Sequence, residues 1–254
     1  MNPSSRSIHA RPAPPARFDA LDGVLVVDKP AGPTSHDVVD AVRDRFRLRK
    51  VGHGGTLDPQ ATGVLPILIG RGTKLSSALM GSDKVYEGLM RLGVETDSQD
   101  ADGTITREAS FEAVTREQVE AAFAELTGDI WQTPPMVSAK KINGTPLYKL
   151  ARKGKTVERE PKLVHVHEFS IRGFTPPDVA FTVRCTKGTY VRTLCADAGK
   201  TLGCGAHLAA LRRTASGELT ADQAVPLETM LSWSVEDLKC ELLPLQKFAG
   251  KLWV

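Results

Sequence analysis

The sequence contains a glycine-rich stretch on which the interpretation of the chain depends, Val51-Gly52-His53-Gly54-Gly55-Thr56-Leu57-Asp58-Pro59-Gln60-Ala61-Thr62-Gly63-Val64-Leu65. Its glycines permit backbone angles that other residues avoid, and they let another segment approach closely. Pro59 fixes its own φ and favours an extended conformation at Asp58. The apolar run that continues to Ile69 predicts a buried strand. Asp58 is therefore expected on a stiff loop beside a packed strand, where reactive groups are commonly held.

The loop does not match two common nucleotide-binding patterns. No Gly-Lys-Ser/Thr closes it, as in a P-loop, and the Gly-x-Gly-x-x-Gly spacing of dinucleotide sites is absent. Taken alone, an Asp before a proline is more often a simple turn residue. The choice between a turn and a reactive carboxylate therefore depends on the rest of the chain.

The composition of the 254-residue chain indicates one sizeable globular unit. Its 33 basic and 30 acidic residues give a formal net charge of +3, which excludes a simple polycation but permits a local basic face. The cysteines form no Cys-x-x-Cys pair, so we expect buried free thiols in a reducing cytoplasm. They are Cys185, Cys195, Cys204 and Cys240. No apolar run reaches about 18 residues, so no membrane span is expected.

Local patterns predict the main elements. Residues 1–20, rich in Pro, Ser, Ala and Arg, predict a disordered tail, with an organelle transit peptide as the alternative. A buried strand is expected over 23–27 and a helix from Ser35 onwards. Thr115 and Gln118 form a capping box at the start of another helix, and the alternation over 179–185 predicts a half-buried strand.

Two regions concentrate positive charge. One begins on a face of the first predicted helix with Arg43, Arg45 and Arg47 and continues with Arg49 and Lys50. The other is an irregular stretch over about 132–162, in which Thr145-Pro146 is expected to start a short helix carrying Leu147, Tyr148 and Leu150. Each could be a solvated surface, but the density of charge favours contact with phosphates.

Two patterns resemble metal sites but lack ligands. Residues 96–103 suggest a calcium loop, yet Ala109 stands where the bidentate Glu would be, so a solvated acidic turn is expected. His165 and His167 share one strand face without an evident third ligand, so structural histidines are expected. Accordingly we expect neither a metal nor an organic cofactor.

Four motifs in order resemble those of the TruB family of pseudouridine synthases, over roughly residues 23–216. They are Gly-Val-x-x-x-Asp-Lys-Pro-x-Gly-x-Thr-Ser at 23–35, Gly-Gly-Thr-Leu-Asp-Pro-x-Ala-Thr-Gly-Val-Leu at 54–65, Lys-Gly-Thr-Tyr-x-Arg at 187–192 and Gly-Ala-His-x-x-x-Leu-Arg-Arg at 205–213. The acidic turn at 96–103 also resembles bacterial members, in which it is not a metal site.

The resemblance implies an α+β pseudouridine synthase fold, with a central mixed, mostly antiparallel sheet flanked by helices. It implies a catalytic domain over 21–225 with a basic, RNA-clamping insertion at about 132–162. Residues 226–254 would be a helical remainder, too short for the C-terminal RNA-binding PUA domain of many relatives. The implied activity is conversion of uridine 55 in the tRNA T-loop to pseudouridine, by a cytoplasmic monomer without a cofactor or an obligatory protein partner.

The resemblance also suggests roles for individual residues. Asp58 would be the catalytic carboxylate, Arg192 its ionic partner, and Tyr86 a stacking group for the flipped base that also helps to remove the C5 proton. If the strand at 179–185 continued past Gly188, Tyr190 and Arg192 would point to the same side. The substrate-binding set is His53, which would fill the gap left by the base, Tyr190 and Leu211, which would wall the pocket, and Lys29, Arg49, Lys50, Lys140 and Lys141; within that set, Lys29, together with Pro30, would support the loop rather than react.

Two other functions remain compatible with the residues. A non-catalytic RNA-binding or chaperone module would use the basic regions and would not need Asp58. A catalytic subunit of a guide-RNA particle, as in the dyskerin branch, would keep the chemistry but need partners. The combination of Asp58, Tyr86 and Arg192 favours an enzyme, and the bacterial-like acidic turn and compact length favour one that acts alone.

Overall fold

The computed structural model of the protein describes residues 21–136, 141–142, 145–146 and 157–251. The strands are β1 Gly23–Lys29, β2 Val51–His53, β3 Thr62–Ile69, β4 Lys84–Leu92, β5 Val94–Thr96, β6 Ile105–Glu108, β7 Gly128–Gln132, β8 Lys141–Ile142, β9 Thr145–Pro146, β10 Lys162–Thr175, β11 Asp178–Cys185, β12 Ala206–Ser216, β13 Leu219–Thr220 and β14 Val225–Pro226. The α-helices are α1 Ser35–Arg45, α2 Ser76–Gly81, α3 Arg116–Glu125, α4 Val191–Thr201, α5 Leu227–Ser232 and α6 Val235–Glu241.

One large sheet organises the described part of the chain. Its order is β14-β1-β3-β12-β4-β11-β10-β7, with β2 beside β3 and β13 beside β12. The β1/β14 and β3/β12 pairs are parallel, and the other pairs are antiparallel. The predicted α+β class, with a mixed and mostly antiparallel sheet flanked by helices, is confirmed. Among the described helices, none is long and apolar enough to cross a membrane.

The β1/β3 pair explains how the sheet reaches the Asp58 loop. Both strands are almost continuously apolar and buried, as expected for strands covered on both faces. Their register runs from Gly23 opposite Ile69 to Lys29 opposite Gly63. The end of β1 therefore lies beside the start of β3, directly after the glycine-rich loop.

Helices pack against this sheet through two large cores. The first joins α3 and α4 to β10 and β11, and includes the ring stack of Phe123 on Phe169 at 3.6 Å between centroids. The second joins α1, α5 and α6 to β1 and β3. Tyr86 and Leu211 are partly buried against both cores. The region between the cores is therefore where side chains from both halves of the sheet meet.

The helix starts follow local chemistry. Thr115 and Gln118 form the predicted reciprocal cap of α3. Thr34 and Asp37 form a second one at α1, which begins at Ser35 as expected. These caps satisfy backbone donors that have no partner inside the helix.

The chain between β11 and β12 differs from the expectation of a continuing strand. β11 ends at Cys185, and α4 begins at Val191 with Tyr190 as its N-cap. Tyr190 and Arg192 therefore do not share a strand face, because the backbone turns into a helix between them. Most of the fourth motif, from Ala206 to Arg213, is part of strand β12.

The C-terminal residues extend the same sheet. The helices expected after residue 226 are present as α5 and α6, and Val225 pairs in parallel with Val27. Leu243 forms two backbone hydrogen bonds with Val24, at 2.9 and 3.0 Å. A domain boundary at 225 stays a prediction. In the structure, this C-terminal segment supplies the edge strand of the main sheet and part of the second core.

Several expectations concern residues with little or no description. The tail at 1–20, Lys140 and the predicted helix residues Leu147, Tyr148 and Leu150 lie outside the described residues. Thr145–Pro146, expected to start that helix, is instead a short strand paired with Lys141–Ile142. Of the cysteines, three are buried as expected, whereas Cys240 is exposed on α6.

Candidate active site

A cavity of about 290 Å³ lies where the two cores meet. Four segments line it: the Asp58 loop (residues 54–61), the chain from Met80 to Tyr86, the turn and helix start at 186–192, and β12 at Leu211 and Arg213. The structure thus brings together five residues selected from the sequence, namely Asp58, Tyr86, Tyr190, Arg192 and Leu211. A wider, more open depression of about 620 Å³ between α3 and β10 contains none of the candidate residues.

Hydrogen bonds fix the Asp58 loop on both sides of its carboxylate. The Ser35 hydroxyl accepts from the Leu57 N–H at 2.8 Å and lies 3.1 Å from the Leu57 carbonyl. The Ala61 N–H donates to the Asp58 carbonyl at 3.1 Å and closes a turn. Gly55 has a φ of +148°, a conformation that side chains rarely permit. The loop is consequently stiff, as its sequence predicted.

Lys29 supports the loop from beneath. Its side chain is fully buried, and its ammonium donates to the carbonyls of Pro30, Pro33 and Pro59 at 2.7–2.8 Å. Burial lowers the pKa of Lys29 to about 8. Because all three of its donors are occupied, these bonds favour the expected support of the loop over direct contact of Lys29 with a substrate.

Arg192 joins Asp58 to the acidic turn. Its Nε lies 3.1 Å from a carboxylate oxygen of Asp58, and its Nη1 donates to Asp100 at 3.0 Å and to the Ser98 carbonyl at 3.2 Å. The Arg192 side chain is only 5% exposed. The pairing of Asp58 with Arg192 was expected, but Asp100 was assigned to a solvated turn. The turn instead orients the guanidinium.

The electrostatics of Asp58 balance opposing effects. Loss of hydration in the cavity raises the pKa of its carboxyl, the positive charge of Arg192 lowers it, and the negative charge of Asp100 raises it again. The net direction is upward. Arg192 therefore opposes a penalty that burial imposes, and its removal would favour the protonated acid.

Tyr86 and Leu211 lie on the adjacent strands β4 and β12, two register positions apart. Leu211 lies opposite Gly88 and Arg213 lies opposite Tyr86 in the register of these strands. Burial raises the pKa of the Tyr86 phenol, while the positive charge of Arg213 lowers it. An aromatic ring and an aliphatic side chain thus border the carboxylate, as a base-binding pocket requires.

Tyr190 is placed by a buried side chain that sequence reasoning missed. Gln132, only 2% exposed, accepts from the Tyr190 N–H at 2.7 Å and donates to the Tyr190 carbonyl at 3.1 Å. These bonds hold the turn from β11 into α4 against β7. Tyr190 and Arg192 reach the cavity through this turn, rather than through strand alternation.

Two further buried cations line the cavity and were not selected from the sequence. Lys84 donates to the carbonyls of Leu79, Met80 and Ser82, and burial lowers its pKa to about 8. Arg213 is 1% exposed and also donates to backbone carbonyls. The Leu-Arg-Arg motif contained the available signal, since strand alternation places Arg212 and Arg213 on opposite faces.

Among the remaining substrate-binding candidates, the described side chains of His53, Arg49 and Lys50 do not line the cavity. His53 lies on β2, where burial lowers the pKa of its imidazole. Arg49 and Lys50 are exposed just before that strand. Lys141 is described only as part of β8, and Lys140 lies outside the described residues. The exposed basic candidates Arg49 and Lys50 therefore lie just before β2 rather than in the cavity.

Part of the basic run on α1 has structural partners rather than free donors. Arg43 pairs with Asp40. Arg45 donates to the Leu231 carbonyl at 2.6 Å and also to the Trp233 carbonyl. These bonds favour a structural role for the two arginines over the expected phosphate contact, because their donors tie α1 to itself and to the α5 region.

The two histidines of β10 have separate carboxylate partners. His165 lies 2.6 Å from Asp129, and His167 lies 2.9 Å from Asp83. Within the described ranges, no group of three or more His, Cys, Asp or Glu side chains is arranged to hold a metal ion. Each histidine therefore has a carboxylate partner of its own near the surface.

Comparisons with known proteins point to one family. Residues 43–191 match the TruB family pseudouridylate synthase N-terminal domain, and residues 192–248 match the tRNA pseudouridylate synthase B C-terminal domain. The tRNA pseudouridine synthase B of Opitutus terrae is 48% identical over 232 residues, covering 91% of this chain and 96% of that protein. The protein of the same name from Burkholderia pseudomallei is 47% identical over 227 residues, covering 89% and 74%.

Solved structures agree on the fold. A chain in the crystal structure of a Cbf5-Nop10-Gar1 complex superposes with a TM-score of 0.72 at 29% identity. The match covers 90% of this chain and 62% of that one.

Proposed function

Because the chain belongs to the TruB family of pseudouridylate synthases, we propose that it isomerises uridine 55 in the T-loop of tRNA to pseudouridine. The main support is the carboxylate of Asp58, paired at 3.1 Å with a buried arginine and facing a cavity of about 290 Å³. That volume is near the lower end of small-molecule pockets, about 300 Å³, and suits one extruded base.

The reaction breaks the bond from C1′ to N1, turns the ring and joins C1′ to C5. Asp58 attacks C1′ or the pyrimidine ring as a nucleophile, or stabilises positive charge on the sugar as carboxylates do in glycosidases. Each role needs the ionised acid, which Arg192 favours. Tyr86 stacks on the flipped base and takes part in removing the C5 proton, while Tyr190 and Leu211 wall the cavity.

The tRNA would bind as a polyanion across the open side of the cavity. His53 fills the space left by the flipped base, and Arg49, Lys50, Lys140 and Lys141 contact phosphates of the T-arm. The same proposal takes the protein to act as a monomer without an obligatory protein partner. Similarity to a chain of a Cbf5-Nop10-Gar1 complex makes a guide-RNA particle the second candidate. Pseudouridine formed by the purified chain alone on an unmodified tRNA transcript separates the two.

Substitution of Asp58 tests the proposal directly. Asp58→Asn and Asp58→Ala are expected to abolish tritium release from tRNA labelled at uridine C5, while tRNA binding is retained. Because the folded protein holds the pKa of Asp58 above its ordinary value, ionisation at neutral pH opposes folding. Asp58→Asn should therefore have a Tm equal to or above that of the wild type. Near-normal turnover by Asp58→Asn would refute the mechanism, and a non-catalytic RNA-binding module would be the remaining interpretation.

A further inference from the structure

Arg213 lies on strand β12, between the two strands that carry opposite sides of the site. β12 lies between β3 and β4, with Arg213 opposite Gly63 on one side and opposite Tyr86 on the other. Gly63 has a φ of +98°, and a Cβ there would lie 2.2 Å from the Arg213 carbonyl oxygen. The backbone that leaves the Asp58 loop is therefore in direct contact with Arg213, and no larger residue fits between them.

The guanidinium of Arg213 reaches back to the Asp58 loop itself. Nε donates to the Val64 carbonyl at 2.7 Å, and the two terminal nitrogens donate to the carbonyls of Thr56 and Gly55 at 3.2 Å. Gly55 and Thr56 directly precede Leu57 and Asp58. One side chain thus holds the chain on both sides of the catalytic loop, 157 and 158 positions away in sequence from Thr56 and Gly55.

These three bonds do not use all the donors of the side chain. An arginine has five N–H groups, so two remain on the terminal nitrogens. Tyr86 lies opposite Arg213 in the β4/β12 register, and both side chains line the cavity. The charge of Arg213 lowers the pKa of the Tyr86 phenol. Within the described part of the chain, no carboxylate forms an ion pair with Arg213. Its positive charge is therefore not neutralised locally and acts on the polar groups that border the cavity.

We propose that Arg213 is a positioning residue of the active site, which holds the Asp58 loop at Gly55 and Thr56 and orients the Tyr86 hydroxyl. The carboxylate of Asp58 and the phenol of Tyr86 then act on the same nucleotide. This inference rests on the proposed function. If Arg213 only stabilised the fold, its three hydrogen bonds to backbone carbonyls would be sufficient. Its removal would then have no effect on the Tyr86 phenol. The positioning role adds that Tyr86 depends on the charge of Arg213, since a neighbouring cation favours the deprotonated oxygen that proton removal from C5 needs.

The first test is kinetic and uses Arg213→Met and Arg213→Lys, with Arg212→Met as the matched control. Arg212 is adjacent on β12, but it pairs with Asp28 at 2.7 Å and does not line the cavity. In Arg213→Met, kcat on tRNA should fall about 10²-fold with KM changed by less than about threefold. The kinetic isotope effect with deuterium at uridine C5 should increase, because proton removal slows. Arg213→Lys should lie between Met and wild type, and Arg212→Met should match wild type.

The second test does not depend on activity. The chain has three tyrosines, Tyr86, Tyr148 and Tyr190. With 3-fluorotyrosine incorporated and the signals assigned by Tyr→Phe variants, ¹⁹F NMR follows the Tyr86 phenol alone through its titration. Its midpoint should rise by about one pH unit or more in Arg213→Met, but much less in Arg213→Lys, which keeps a charge.

The outcomes separate this inference from the proposed function. If the wild type forms no pseudouridine, the proposed function fails, and the Tyr86 titration still tests the orientation of Tyr86 by Arg213. If the Tyr86 midpoint or the kcat is unchanged in Arg213→Met, the positioning role is overturned. Loss of folding in both Arg213 variants would assign the residue to the fold alone and overturn it as well.

Discussion

Two sets of cations lie near the candidate site, a buried set around the cavity and an exposed set just before β2. They differ in the surroundings of their N–H groups. Lys29, Lys84 and Arg213 are at most 6% exposed and donate to backbone carbonyls of surrounding loops. Arg49 and Lys50 are exposed on the approach to the cavity. Both sets contribute to net charge in the same way, yet only the buried set can determine the geometry of the site.

The difference follows from hydration. A buried ammonium or guanidinium must replace its bound water with protein acceptors, so its position becomes coupled to the loops that supply those acceptors. An exposed cation keeps part of its hydration and can exchange that water for a phosphate, with an affinity that depends on salt. Substitution in the first set should therefore alter catalysis and stability, and substitution in the second should alter binding.

Arg192 should show the largest effect, because it is buried and touches the carboxylate itself. Arg192→Met is expected to lower kcat about 10³-fold, as loss of one preorganised charged donor does in other active sites. Since Arg192 lowers the pKa of Asp58, its removal should move the acid limb of the pH–rate profile to higher pH. Under the proposed mechanism, activity is expected to fall as the pH drops through that pKa, because Asp58 must be ionised to act.

Asp100→Asn supplies the matched control for the sign of that shift. The negative charge of Asp100 raises the pKa of Asp58, so its removal should move the acid limb to lower pH. Both profiles are measured with saturating tRNA. If the two variants shift the limb in the same direction, the electrostatic description of the site is wrong.

Lys29 should show the next effect, and on stability. Lys29→Met removes the ammonium that donates to the carbonyls of Pro30, Pro33 and Pro59, of which the Pro59 carbonyl keeps the Gly32 N–H, and the free energy of unfolding should fall by roughly 2–4 kcal/mol. Urea unfolding measures the change. Lys50→Met, at an exposed lysine, should stay within about 0.5 kcal/mol of wild type. Equal losses in the two variants would contradict the distinction between the sets.

The exposed set should show the smallest effect, confined to binding. The double substitution Arg49→Ala with Lys50→Ala should weaken tRNA binding and reduce the slope of log K against log salt by about 0.7–0.9 for each phosphate that the variant no longer neutralises. Filter binding in the Asp58→Asn background measures this without turnover.

Arg45→Ala is the control with the reverse pattern. Its salt slope should be unchanged, but its stability should fall by about 1 kcal/mol, because Arg45 donates to the Leu231 carbonyl. An unchanged slope in the double variant would place tRNA elsewhere on the surface.

Local chemistry in the sequence determined much of the architecture. Glycines and a proline made the Asp58 loop stiff, Thr115 and Gln118 capped α3, and apolar runs gave the buried strands β1 and β3. These features depend on neighbours within a few residues, so they can be recognised without knowing the fold. The motifs around Asp58, Tyr190 and Leu211 likewise identified residues that the structure brings to one cavity.

Tertiary structure alone decided which polar groups serve that cavity. Asp100 looked like part of a solvated turn and instead pairs with Arg192, which is 92 positions away. Arg212 and Arg213 are indistinguishable neighbours in sequence. Arg212 pairs with Asp28, whereas Arg213 donates to the carbonyl of Gly55, which is 158 positions away in the chain. The physical reason is that burial obliges each donor and acceptor to find a partner, and the partners available at a site are set by contacts between segments distant in the chain.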